Sequence, residues 1–231
     1  AGIITDNNFG QANIIDVRTE PLQRVLKEDL IPVVAGFQGM TLSGEITTLG
    51  RRGSDTTAGA LAAALEAEYL EIFKDVGGIM TADPQKVEEA RIISRVSYDE
   101  LWELSAQGAK VIHPVAAEIV RKEKVSLRVR STFTNSAGTE VSPGDGWKKE
   151  VVTGVTSRRR IVLFKIIPRI QMENATGLGA FKVLGKEGIS VDFINVRPAS
   201  ITFIVDRDET EEARRALEKY DYKYQISNDF C

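Results

Sequence analysis

The chain has 231 residues, of which 42% are hydrophobic and 27% charged, with a formal net charge of -3. That is an ordinary composition with enough length to bury a sizeable core. It gives no broad basic field for nucleic acid and no acidic tail, and no apolar run nears the ~20 residues of a bilayer span. One cysteine, Cys231, and one histidine, His113, exclude an internal disulfide and a His/Cys zinc centre. The opening AGIITDNNFGQ lacks the basic and apolar regions of a secretory signal. The expected setting is cytoplasmic. The chain does not open on methionine, and Ala1 reads as the middle of a longer sequence.

In chain order, ANIIDV (12–17) reads as a short strand. TEPLQRVLKED (19–29) reads as a helix with Thr19 as N-cap and Leu22, Val25 and Leu26 on one face. IPVVAGF (31–37) reads as a buried strand. A glycine-rich turn then leads into a helix over 54–70, and EIF (71–73) is the next strand. SYDELWELSAQGAK (97–110) opens with a capping box, Ser97 with Glu100. PVAAEIVRKEK (114–124) places proline in the first turn of a helix, and SLRVRSTF (126–133) is a strand. Short strands alternating with helices predict an α/β unit with a mostly parallel sheet and helices on both faces.

The texture changes at 135–150, where Gly, Ser, Pro and Thr crowd without periodicity, and this segment reads as a linker. Beyond it RIVLFKIIP (160–168), GLGAFKVLGKEG (177–188), ISVDFINV (189–196), SITFIVD (200–206), DETEEARRALEKY (208–220) and DYKYQIS (221–227) follow the β-α-β-β-α-β order of a ferredoxin-like domain. The expected division is therefore 1–134, a linker over 135–150, and a second domain over 151–231.

Three clusters carry chemistry. In TTLGRRGSDTTA a glycine-rich turn meets a helix N-terminus, which attracts anions. There Arg51 can grip a carboxylate through two hydrogen bonds, Ser54 can donate another, and Asp55 can orient a cation. Ser54 or Asp55 equally suits a plain helix cap. The Walker pattern is absent. In FKDVGGIMTADPQ, Lys74 and Asp75 stand at the carboxyl end of a strand, where open parallel sheets collect ligands. An ordinary strand-to-helix loop would read the same way. In GAKVIHP, Lys110 can meet a phosphate as a point charge or be simply solvated, while His113 before Pro114 reads as structural.

In order, PVVAGFQGMTLSGEITTLGRRGSDTTA, FKDVGGIMTADP, SYDELWELSAQGAKVIHPVAAEI and LRVRSTF resemble the carboxyl half of the catalytic domain of the aspartate kinase family. That domain has the amino-acid-kinase (carbamate-kinase-like) fold. VTGVTSRRRIVLFKIIP through GISVDFINVRPASITFIVD resembles the first ACT domain of the same enzymes. GIMTADP and SVDFINVRP are closest to the diaminopimelate-sensitive branch. The resemblance implies transfer of the ATP γ-phosphoryl group, as a Mg2+ complex, to the side-chain carboxylate of L-aspartate. It implies no tightly bound cofactor and no resident metal.

By residue, it implies that Arg51 and Ser54 hold aspartate, that Phe37 walls the pocket, and that Asp55 orients the cationic groups catalytically. Lys74, Asp75, Met80, Gln85 and Lys110 fall on nucleotide-binding positions. A regulatory amino acid (lysine, threonine or diaminopimelate) would bind between paired ACT sheets of a homodimer. Its contacts would come from the loop Arg169–Thr176 (Met172, Asn174, Ala175 and Thr176) and from Ser190, Asp192 and Asn195. Asp192 and Asn195 also suit a solvent-facing strand. The sequence departs from the family where Arg52 replaces a glycine, Lys74 a threonine and Gln85 an arginine. No stretch matches the amino-terminal Lys-Phe-Gly-Gly-Thr-Ser segment, so the chain is expected to be inactive alone. A purely regulatory chain and another amino-acid kinase remain alternatives.

Overall fold

A computed structural model describes residues 2–51, 53–109, 111–144, 152–158, 160–167, 179–198 and 200–227. The chain divides into two units, one running to Ser157 and the other starting at Arg158.

In the first unit, four short strands form one sheet: β1 (Ile3–Thr5), β2 (Ile14–Val17), β3 (Gln38–Met40) and β4 (Ile46–Thr48), in the order β2-β1-β3-β4. β1 pairs parallel with β3, and the outer pairs are antiparallel. β1 is buried throughout, and the hydroxyls of Thr5 and Thr47 satisfy each other inside the sheet at 2.6 Å. Helix α1 (Glu20–Lys27) follows β2 and buries Leu22, with Thr19 as N-cap but without a side-chain cap bond. Residues 31–37 differ from the expected buried strand. Ile31 is 89% and Val33 96% exposed, and the run lies outside every strand. An apolar run becomes a strand only where a neighbour completes its hydrogen-bond ladder, and no described strand pairs with this one.

The second sheet holds β5 (Leu70–Lys74), β6 (Arg95–Ser97), β7 (Leu127–Ser131) and β8 (Thr139–Ser142), ordered β5-β7-β8-β6. Helices α2 (Gly53–Ala64), α3 (Tyr98–Ala106) and α4 (Pro114–Glu123) cover one face. There Leu127, Val129, Val141 and Val96 pack against Ala62, Leu101, Ala117 and Val120. α2 is shorter than expected because Glu66 turns into a left-handed conformation, φ 50°, a common helix stop. α3 has the full capping box between Ser97 and Glu100, and α4 begins at Pro114 after His113.

The α/β class holds, but the sheets are mixed rather than mostly parallel. β5 pairs parallel with β7 and β6 with β8, while β7 and β8 run antiparallel. The described helices cover one face of this sheet rather than both. The other face carries a ladder of alternating charge, since Glu71 lies opposite Arg128, Arg128 opposite Glu140 and Glu140 opposite Arg95. β8 lies within 135–150, the stretch read as linker. Its alternation, Thr139 and Val141 buried with Glu140 exposed, is too short to be conspicuous in sequence.

The second unit contains β9 (Ile161–Ile166), α5 (Gly179–Lys186), β10 (Asp192–Arg197), β11 (Ser200–Asp206), α6 (Thr210–Lys219) and β12 (Tyr224–Ser227). Its antiparallel sheet is ordered β10-β11-β9-β12, the ferredoxin-like order. Period-two burial puts Val162, Phe164 and Ile166 opposite Val205, Phe203 and Ile201. Phe164 and Phe203 stack at 5.6 Å, and Phe181 from α5 meets Phe203 edge-on at 5.4 Å.

Phe164→Ala is expected to cost about 3–5 kcal/mol, the usual range for a buried aromatic. Ile31→Ser and Val33→Ser are expected to change stability by under about 0.5 kcal/mol, because these side chains bury almost nothing in this chain. Urea titration of the three variants measures both effects.

Candidate functional site

The site forms where α2 begins. The chain turns through Gly50, at φ 75°, and the Gly53 amide donates to the Gly50 carbonyl at 3.1 Å. Gly53 has no room for a side chain: a Cβ there would lie 2.7 Å from Leu49 Cβ and 3.3 Å from the Phe37 ring. Thr57, one turn on, is buried. Its hydroxyl donates to the Gly53 carbonyl at 3.1 Å and accepts the Phe37 amide at 3.1 Å. Leu49 N–H donates to the Phe37 carbonyl at 2.8 Å. Phe37 is thus gripped on both sides in a left-handed conformation, φ 74°, which few non-glycine residues adopt. The residue stays 42% exposed. Ser54 packs against Gly36, where an added Cβ would be 3.1 Å from its hydroxyl oxygen.

Asp55 is the hub. Lys74 Nζ, at the end of β5, donates to both carboxylate oxygens, at 3.0 and 2.9 Å. The His113 amide, at the start of α4, donates to Oδ2 at 3.3 Å. The carboxylate therefore ties two helix N-termini to the carboxyl end of a parallel strand. The side chains are only 12% (Asp55) and 24% (Lys74) exposed, so water screens their attraction less than on an open surface. An ammonium has three donors. With two facing Asp55, one is left for an anion.

The expected residues sort as follows. Asp55 and Lys74 are joined directly, and Phe37, Gly36 and Ser54 gather at the same helix end. Arg51 stands exposed in the turn before α2, without a hydrogen bond or ion pair to a described residue. Asp75 is exposed at the head of the loop after β5, and Met80 is half-buried and bridges to Ile92. Gln85 is exposed, and its amide donates to Asp83 at 3.0 Å. Lys110, Arg52, Met172, Asn174, Ala175 and Thr176 lie outside the described residues.

In the second unit Ser190 and Asn195 are exposed. Asp192 accepts from Arg158 at 2.9 Å and from the Phe193 amide at 2.8 Å, so it belongs to an ion pair on the edge strand. Sequence reasoning passed over Thr57 and the His113 amide. The adjacent threonines after Ser54-Asp55 and the proline after His113 are their only signals. Among the described residues no group of three acidic, His or Cys side chains could hold a metal, and no helix is long and apolar enough to cross a membrane.

Residues 1–131 match the Amino acid kinase family. The chain is 42% identical to aspartokinase 1 of Bacillus subtilis over 99% of its own length and 58% of that protein. It resembles E. coli aspartokinase III in complex with aspartate and ADP (R-state), with a TM-score of 0.84 and 27% identity, over 98% of this chain and 54% of that one. It also resembles the same enzyme with lysine and aspartate (T-state), with a TM-score of 0.71 and 28% identity, over 98% and 53%. The chain thus spans little more than half the length of these relatives.

Gly53→Ala is expected to lower stability by about 1–3 kcal/mol through overpacking against Leu49 and Phe37. Gly10→Ala meets nothing within 4 Å and is expected to be near neutral. Thermal melts of the pair check this.

Proposed function

The chain belongs to the amino acid kinase family, and from that premise we propose that it is part of an aspartate kinase. The reaction moves the ATP γ-phosphoryl group to the side-chain carboxylate of L-aspartate. A carboxylate oxygen attacks the γ-phosphorus in line, the bond to the bridging oxygen breaks, and ADP leaves with that electron pair. No proton need move, so the protein's work is alignment and charge cancellation.

The observation that carries this reading is the Asp55–Lys74 pair beneath two helix N-termini. Asp55 holds the Lys74 ammonium in place, and the spare N–H meets a phosphate oxygen. The positive ends of α2 and α4 add to the same field. Arg51, without a partner among the described residues, grips aspartate, with Ser54 as a second donor and the Phe37 ring as a wall. Asp75, Met80, Gln85 and Lys110 border the nucleotide. The Mg2+ that accompanies ATP arrives as part of the substrate.

The second unit is proposed as an ACT domain of the diaminopimelate-sensitive type. A regulatory amino acid would bind near Ser190, Asp192 and Asn195 in a homodimer, and the protein would work in the cytoplasm. The ferredoxin-like order supports this, as does the similarity to an aspartokinase held with lysine. The domain limits are proposed as 1–134, a connecting stretch over 135–150, and 151–231.

Binding tests this reading. Calorimetry of the chain with magnesium-ADP and with L-aspartate is expected to show both ligands. Arg51→Ala is expected to weaken aspartate by roughly 10- to 100-fold, the worth of a charge-assisted hydrogen bond, while leaving ADP unchanged. A purely regulatory chain would bind neither substrate and only the effector amino acid. Unchanged aspartate affinity in Arg51→Ala would remove that residue from the site.

A further inference from the structure

LRVRSTF opens on strand β7, whose residues alternate across the sheet. Leu127, Val129 and Ser131 face the helices, whereas Arg128 and Arg130 emerge on the opposite face. Arg130 commits all three of its nitrogens. Nη1 donates to Glu71 Oε1 at 3.1 Å, Nε to the Ser136 carbonyl at 3.3 Å, and Nη2 to Asn135 Oδ1 at 3.4 Å. The guanidinium also lies 5.9 Å from the Phe73 ring centroid. Side-chain exposures of 27% for Arg130 and 22% for Glu71 set this pair apart from ordinary surface bridges.

The partners are in β5 and in the loop between β7 and β8. The other end of that loop is anchored by Thr132, whose amide and hydroxyl both donate to the Lys74 carbonyl, at 2.8 and 3.1 Å. Gly138 closes the loop at φ 72°, where a Cβ would fall 2.1 Å from the Val129 carbonyl oxygen, so only glycine fits. β5 and β7 are already paired in register from Leu70–Leu127 to Lys74–Ser131. Joining these two strands does not require the arginine. What Arg130 adds is the fixing of the loop.

We propose that Arg130 is a positioning residue for the Asp55–Lys74 site: from the far face of the sheet it clamps the 132–138 loop, and through Thr132 that loop fixes the Lys74 backbone from which the ammonium reaches Asp55. Glu71 orients the arginine. The inference rests on the kinase reading for its consequence, since a displaced Lys74 would meet the nucleotide poorly. The clamp itself is a property of the fold.

The test is the rate at which an amine-reactive reagent labels Lys74 in the intact chain, read by mass spectrometry against the exposed Lys27 and Lys122. Asp55→Asn, which frees the ammonium, sets the upper rate. Arg130→Lys keeps the charge but cannot make all three bonds. It is expected to speed labelling of Lys74 on the order of fivefold, the equilibrium worth of one hydrogen bond, with reference lysines unchanged. Asn135→Ala, outside the sheet, is expected to move Lys74 in the same direction by less. A Lys74 rate at the wild-type value in both variants would overturn the proposal, as would an equal rise at the reference lysines, which would mean general loosening. Titration with magnesium-ADP separates the two readings. If the unaltered chain fails to bind ADP, the kinase reading falls while the labelling rates still decide the clamp. If it binds, Arg130→Lys is expected to weaken ADP severalfold.

Discussion

One carboxylate organises the first unit. Asp55 sits where the beginnings of α2 and α4 meet the end of β5, and it satisfies donors from β5 and α4 at once. Helix N-termini leave amide groups without intrahelical partners, and a parallel strand end leaves its last side chain unsupported. Bringing these ends together creates excess positive potential, and an anion is the natural neutraliser. Glycine at 53 and the small residues Ser54 and Gly36 let the preceding loop close on the start of α2. Thr57 then locks the preceding loop by bonding both Gly53 and Phe37.

The sheet beneath separates two tasks by the alternation of its strands. Residues facing the helices are apolar until the last position of β5 and β7, where Lys74 and Ser131 replace them. Residues on the other face form a ladder of opposite charges. Such ladders are individually weak on an open surface. Arg130 departs from that pattern because its guanidinium, while paired with Glu71, also holds a loop, which links the solvated face to the site without passing through the core.

How far the sequence discloses this depends on the range of each interaction. Caps are local: Ser97 with Glu100, and Pro114 after His113, are legible because cap and helix are neighbours in sequence. The β-α-β-β-α-β order of the second unit is equally legible, since its central strands β9 and β11 alternate over six and seven residues. Phe37, Ser54, Asp55 and Lys74 could be named from motif resemblance, but the bond between Asp55 and Lys74 joins residues 19 apart, and no local periodicity encodes it. Strands of three or four residues, such as β6 and β8, carry too little pattern to read. Residues 31–37 mislead for the opposite reason: the apolar pattern is strong, but pairing is a property of neighbours, not of composition.

The choice of a charged pair at the hub bears on function. A leucine and an isoleucine could join α2, α4 and β5 without desolvating any charge, and replacing partly buried ion pairs by apolar groups often leaves stability unchanged or higher. Stability alone therefore gives no reason for Asp55 and Lys74. What the pair offers beyond packing is a fixed ammonium with an uncommitted donor, set beside two helix ends whose fields share its sign. Apolar residues cannot present that, and neither can a freely rotating surface lysine, which would lose side-chain entropy on meeting an anion. The carboxylate bears the ordering cost in advance, which is the condition for binding that strengthens as charge develops on a transferring group.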